Sequence, residues 1–225
     1  MKQQMGKIVQ IGFNKCATRS LYQFFKSNGL RAFHWDGGKF ADDLEENVSE
    51  GRPAFHGWED YDFYSDMNSG KVGRLVEGHF YYAYIAECYP DSRFILNIRN
   101  VDKWIKSRFK HNKGYFAKQS KKRYGAKNLT ELEQIWRDQW DEHLSGVKEY
   151  FKDQPERLLI FDIEKDSGKE LVEFFSDLDL DASHYGYFGK TGAEVKKPLR
   201  ERLHWPPRRS FMYRLKQSLG KRFPR

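Results

Sequence analysis

Along residues 7–30 the hydrophobic pattern changes period once. Ile8, Val9, Ile11 and Phe13 form a short, β-branched apolar run suited to a buried strand. After Asn14-Lys15-Cys16-Ala17 the apolar positions move to Leu21, Phe24 and Phe25, the i, i+3, i+4 spacing of a helix face, and Asn28-Gly29 supplies a stop. The unit predicted is strand, tight loop, helix. Residues 30–35 (LRAFHW) read as a second strand, ending at His34-Trp35-Asp36-Gly37-Gly38. Residues 93–98 (RFILNI) read as another buried strand, followed by the helix-like Val101, Trp104, Ile105 and Phe109. Leu132, Ile135, Trp136, Trp140, Leu144, Val147 and Phe151 mark a long helix whose expected start is a capping box over Thr130-Glu131-Leu132-Glu133. Residues 158–163 (LLIFDI) give a further parallel strand, and Leu171, Val172, Phe174, Phe175 and Leu178 give the helix that crosses back.

The first turn carries the chemistry. The amides of Ala17 to Ser20 open a helix, lack carbonyl partners within it, and point into the loop, where an anion can accept them. Lys15 adds a full charge, and the hydroxyls of Thr18 and Ser20 can donate. Such a loop binds phosphate or sulfate. The nucleotide pattern GxxxxGK[ST] fits at Gly12 only: Ala17 stands at its second glycine, Thr18 at its lysine and Arg19 at its hydroxyl position. The lysine lies earlier, at Lys15, which gives K-x-[GA]-T-x-S.

That sequence resembles the 5′-phosphosulfate loop, K-x-G-T-[TR]-[SA], of sulfotransferases that use 3′-phosphoadenosine-5′-phosphosulfate (PAPS). The resemblance assigns Lys15, Cys16, Ala17, Thr18, Arg19 and Ser20 to cofactor binding, with Lys15 also catalytic. Ala17 departs from the pattern, and a methyl there calls for a helical φ. The Thr18-Arg19 pair looks more like the carbohydrate branch than the small-phenol branch. Arg99, at the end of the strand 93–98, and Ser107, eight residues later, resemble the family's 3′-phosphate grip. A guanidinium there offers a charge-assisted, often bidentate contact. The alternative is a surface arginine on an ordinary strand. The resemblance implies a three-layer α/β/α fold with a parallel sheet, like that of the P-loop NTPases, and no required metal.

Ligands of open α/β sheets lie beyond the carboxyl ends of the strands. His34 and Asp36 therefore fall near Lys15 if the second strand neighbours the first, and as alternate residues of an extended segment they share a face. Asp36 is the closest counterpart of the carbohydrate enzymes' base, and the pair is the candidate for taking the acceptor's proton. The bland reading makes His34 a core residue and Asp36 a turn residue. Glu77 and His79 are rival bases at the position the small-phenol branch uses. The aromatic, acidic stretch 51–78, with Trp58, Tyr61, Phe63, Tyr64, Asp60 and Asp62, fits either an acceptor pocket or core.

Composition and charge refine this. The 225 residues suit one sizeable domain, 1–197, followed by a basic tail, 198–225. Mean hydropathy is low, −0.86, but an aromatic fraction of 16% can supply buried area. Residues 110–127 hold seven Lys/Arg and no acid, the composition of a lid over the cofactor or of a solvated loop. Residues 185–197 take the place of the family's closing segment, but Phe188-Gly189-Lys190 does not match its motif; Lys190, Lys196 and Lys197 are weak candidates there. From 196 onward eleven Lys/Arg face the single acid Glu201, so the basic character sits in the tail, which suits an anionic membrane surface or a polyanion. A signal-like apolar stretch, a membrane-length run and metal-ligand spacing are all missing from the sequence, and only Cys16 and Cys88 occur. The expectation is a cytoplasmic enzyme that moves a sulfuryl group from PAPS to a hydroxyl, on a sugar or glycolipid by the Thr-Arg variant. Its rivals are a magnesium-dependent P-loop kinase and a non-enzymatic binder of polyanions; nucleic acid is not favoured as a partner.

Overall fold

In the computed structural model, which describes residues 6–71 and 74–188, the chain order is β1 (Ile8–Gln10), α1 (Thr18–Ser27), β2 (Ala32–His34), α2 (Lys39–Ser49), β3 (Phe63–Ser65), β4 (Asn68–Lys71), β5 (Arg74–Glu77), α3 (Tyr82–Cys88), β6 (Arg93–Ile98), α4 (Val101–Lys110), α5 (Tyr115–Tyr124), α6 (Leu129–Tyr150), β7 (Leu158–Asp162) and α7 (Gly168–Phe174). The central sheet is parallel throughout, in the order β2–β3–β1–β6–β7, and β4 and β5 form a separate antiparallel hairpin. These residues belong to one compact unit, Met1–Gly189. Lys190, Lys196, Lys197, the tail 198–225 and the boundary expected at 197 lie outside the described residues.

The period-2 alternation of β1 divides the core between two faces. Ile8 packs with Leu21, Phe24 and Phe25 of α1 and with Leu171 and Phe175, whereas Val9 and Ile11 pack with Phe40 and Leu44 of α2, Ile85 of α3 and Val147 of α6. Helices thus cover both faces of the sheet, the three-layer α/β/α arrangement. A third cluster, Phe13, Trp104, Phe116, Trp136 and Trp140, closes the sheet's carboxyl end beneath the loop that follows β1.

Several expectations shift. The strand next to β1 on the side of β2 is β3, from the aromatic, acidic stretch, and it separates β2 from β1. Tyr64 of that stretch is fully buried, and Trp58 and Tyr61 pack against the same core, with Trp58 and Tyr61 each 5.4 Å from the Phe33 ring, so these rings serve packing. Residues 110–127 are mostly helix: α5 buries Phe116, Ala117 and Ser120 and presents its lysines outward. Helix α6 starts at an earlier cap than the one expected, because Asn128 Oδ1 accepts from the Glu131 amide at 2.9 Å.

Candidate functional site

Four side chains set the loop between β1 and α1 by taking its carbonyl groups. Gln10 Nε2 donates to the Gly12 carbonyl, and Asn97 Nδ2 on β6 donates to that of Cys16. Trp104 Nε1 on α4 donates to the Asn14 carbonyl at 3.0 Å, and Arg99 Nη1 donates to that of Lys15 at 3.0 Å. Asn97 Oδ1 accepts from the Gly12 amide at 3.1 Å and from Gln10 Nε2 at 2.6 Å. A peptide whose carbonyl is drawn into the protein turns its N–H the other way. At the helix start, the Ser20 and Leu21 amides bond the Ala17 carbonyl, whereas among the described residues those of Ala17, Thr18 and Arg19 have no backbone acceptor. The result is an anion cradle at a helix N-terminus.

Two backbone features complete the loop. Lys15 has φ +68° and Ala17, the N-cap of α1, has φ +57°. Ala17 therefore stands in the left-handed region, not in the helical one its methyl calls for, and the glycine of the family pattern is the residue that conformation favours. Gly12 is required for a different reason: a Cβ there would lie 2.2 Å from the Asn97 carbonyl oxygen and 2.3 Å from its Oδ1.

Positive charge gathers on this cradle. Lys15 is half-buried, and desolvation holds its pKa below the ordinary lysine value, with Asp66 opposing and Arg19 and Arg99 reinforcing the shift. Arg99, at the end of β6, keeps Nη2 3.9 Å from Glu164 Oε1 and leaves its Nε–H buried without a partner. Ser107 is half-buried on α4, two turns beyond that strand end. The Ser20 hydroxyl accepts from the Phe188 amide at 3.1 Å, which seats residue 188 against the first turn of α1. Burial pushes the Cys16 thiol up to about 12, so it stays protonated and contributes its backbone, not a nucleophile.

The candidate bases separate. The alternation that would put His34 and Asp36 on one face ends at Trp35, whose φ is +25°. Asp36 instead turns to α2, where its Oδ1 accepts from the Phe40 amide at 3.1 Å. His34 remains at the end of β2, stacked on the Tyr22 ring at 5.3 Å. Its Nδ1 lies 3.1 Å from Ser65 Oγ, and that hydroxyl donates to the Phe33 carbonyl at 2.9 Å, so Nδ1 carries the proton and Nε2 the lone pair. Asp66, just past β3, places Oδ2 3.8 Å from that Nε2. Burial holds His34 below its ordinary pKa, with Asp66 opposing and Arg19 reinforcing.

The rival bases are buried elsewhere. Glu77 pairs with Arg108 and accepts from the Tyr124 hydroxyl, and the Arg108 guanidinium lies 4.8 Å from the ring centres of Trp104 and Trp136. His79 is 2% exposed, its ring 4.5 Å from Phe13, and burial beside His143 and Arg108 lowers its pKa.

Sequence reading overlooked Gln10, Asn97, Trp104 and Asp66. Gln10 and Asn97 left a signal, since each is an amide side chain interrupting an apolar strand that is buried on both faces. Trp104 read as one more apolar helix position, and Asp66 as one of several acids. Residues 7–114, which hold β1, the cradle, His34, Asp66, Arg99 and Ser107, match the family model described as a sulfotransferase domain. No curated protein matches the chain. Among the described residues no helix is long and apolar enough to cross a membrane.

Proposed function

Residues 7–114 belong to the sulfotransferase family, and on that premise we propose that the protein transfers a sulfuryl group from PAPS to an acceptor hydroxyl of a sugar or glycolipid. The observation that carries the donor assignment is the cradle, whose carbonyls are drawn inward and whose Ala17–Arg19 amides are left to an anion. The unclaimed Nε–H of Arg99 and the half-buried Lys15 are the donors a nucleotide with phosphate at both 3′ and 5′ positions needs. When bound, PAPS supplies the sulfuryl group and a stable leaving group. The cradle amides with Thr18, Arg19 and Ser20 hold the 5′ end, and Arg99 with Ser107 holds the 3′-phosphate.

In this reading Lys15 meets negative charge developing at the 5′ end, where a fixed cation and aligned amides stabilise a transition state more than a ground state. His34 Nε2, the free lone pair beside the cradle, takes the acceptor's proton; Asp36, engaged with α2, braces the segment that carries His34. The sugar assignment rests on the Thr18-Arg19 variant and on Trp35, an indole 52% exposed directly after His34, a flat face suited to stacking on a pyranose.

The test is calorimetric titration with 3′-phosphoadenosine-5′-phosphate, run beside ATP with and without magnesium. Metal-independent preference for the 3′-phosphorylated nucleotide, lost in Arg99→Ala, is expected. Magnesium-dependent preference for ATP would replace this reading with a kinase. Transfer of labelled sulfate from PAPS to octyl β-glucoside and octyl β-galactoside, but not to phenol, checks the acceptor class.

A further inference from the structure

We infer that Asp66 is the positioning partner of His34, and that the acceptor oxygen is activated where His34 Nε2 and Asp66 Oδ2 face each other across 3.8 Å. The inference rests on the sulfotransferase reading and names a residue which that reading does not need.

Asp66 is held for this place at some cost. Its φ is +52°, a left-handed conformation that aspartate tolerates better than most residues but does not favour. Two contacts of its own and one of its neighbour fix it there. Its amide donates to Gln10 Oε1 at 3.1 Å, its Oδ1 accepts from Asn68 Nδ2 at 2.9 Å, and its neighbour Ser65 holds the His34 ring. Gln10 is the residue that also binds the Gly12 carbonyl and Asn97, so one side chain sets both the cradle and the carboxylate.

The remaining oxygen, Oδ2, faces His34 at its unprotonated nitrogen, and the same carboxylate acts on Lys15 and His111, opposing the lowering of their pKa values. Neither atom carries a hydrogen, so the two do not bond each other, and a donor seated beside the pair can satisfy one and approach the other. An alcohol O–H is such a donor. In the transfer step the acceptor O–H bond breaks as O–S forms, the S–O bond to the 5′-phosphate breaks with its electron pair going to the phosphate, and the proton passes to Nε2. The new imidazolium then has the Asp66 carboxylate beside it, and a movement of under an ångström from 3.8 Å closes an ion pair that keeps the proton away from the product. The groups facing the His34 ring are Asp66 and Ser65 from the β3 side and Arg19 and Tyr22 from α1; Arg19 opposes the imidazolium, and Asp66 is the carboxylate that offsets it.

Asp66→Asn tests this, because asparagine accepts the left-handed φ and keeps an oxygen for Asn68. Removing the carboxylate takes away what raises the His34 pKa. The acidic limb of kcat/KM against pH, measured with PAPS and octyl β-glucoside, is therefore expected to move to lower pH, and the plateau to fall at least about tenfold. In a His34→Gln background the same change should cost less than about threefold, since the two residues act as one unit. An unmoved limb, or losses that multiply, overturns the inference. The His34 midpoint read by imidazole NMR needs no substrate: it should fall in Asp66→Asn, and a midpoint equal to wild type also overturns the pairing. Binding of 3′-phosphoadenosine-5′-phosphate is expected to be unchanged in Asp66→Asn; failure of the wild type to bind it removes the sulfotransferase reading and leaves the NMR result standing by itself.

Discussion

The two halves of the proposed site are built in opposite ways. On the proposed donor side the loop offers backbone amides, aimed by side chains distant in sequence: Asn97 on the Cys16 carbonyl, Trp104 on that of Asn14, Arg99 on that of Lys15. On the proposed acceptor side the groups are side chains, His34 and Asp66, placed by residues on adjacent strand ends, Ser65 and Asn68. Amides cannot be removed by mutation, so the donor side fails through its supports and affects nucleotide binding. The acceptor side fails through the groups themselves, and affects the pH profile while nucleotide affinity holds.

The largest effect breaks that pattern at a donor-side group that is itself a side chain. Lys15→Ala is expected to lower turnover by about 10²- to 10³-fold, the usual loss for a donor placed on developing charge. Lys15 is half-buried and makes no described structural bond through its ammonium, so the urea midpoint should stay within error. A variant keeping more than a tenth of the wild-type rate would detach Lys15 from the chemistry.

Asn97→Leu sharpens the comparison, since Asn97 is buried and spends its side chain on Gln10, Gly12 and Cys16. The substitution orphans the Cys16 carbonyl, the Gly12 amide and one bond of Gln10 in a site where Asn97 is 1% exposed. Buried groups left unpaired cost about 1–3 kcal/mol each, partly relieved by relaxation, so about 3 kcal/mol of stability is expected to go. Affinity for 3′-phosphoadenosine-5′-phosphate in the folded fraction should drop at least about tenfold, at 1.4 kcal/mol per decade. Lost stability with full affinity would mean that the latch serves the core and not the cradle.

How far the sequence discloses this site follows the same division. The strand-loop-helix unit, Lys15, the strand leading to Arg99 and the helix after it are local patterns, and all are present where the periodicity put them. What stayed hidden depended on which strands touch. Nothing near His34 says that β3 lies between β2 and β1, and that insertion is what brings Asp66 to the imidazole while Asp36 turns to cap α2. The lysine-rich stretch after α4 misled through composition, because Phe116 and Ala117 bind α5 to the core whatever its outer face carries. Ala17 is the subtler case: a helix-favouring residue at a helix start, yet the latch on the Cys16 carbonyl holds the next residue at positive φ.

That residue gives the smallest effect and the finest test of the donor side. An L-residue in the left-handed region costs about 1–2 kcal/mol, and Ala17→Gly removes that cost. Part of the gain is returned, because glycine loses about 0.5–1 kcal/mol more conformational freedom on folding and because the Ala17 methyl packs beside the α1–α7 cluster. Alanine is also a poor N-cap, which favours glycine again. The balance is a stabilisation of about 0.5–1 kcal/mol, read as a higher urea midpoint with an unchanged slope. Turnover should hold, because the Ala17 amide keeps its direction from the clamp on the Cys16 carbonyl and those of Thr18 and Arg19 from the first turn of α1, not from the methyl. If Ala17→Gly destabilised the protein, the loop would be taking its shape from local propensity, and the distinction between a cradle aimed from afar and a base placed by its neighbours would lose its ground.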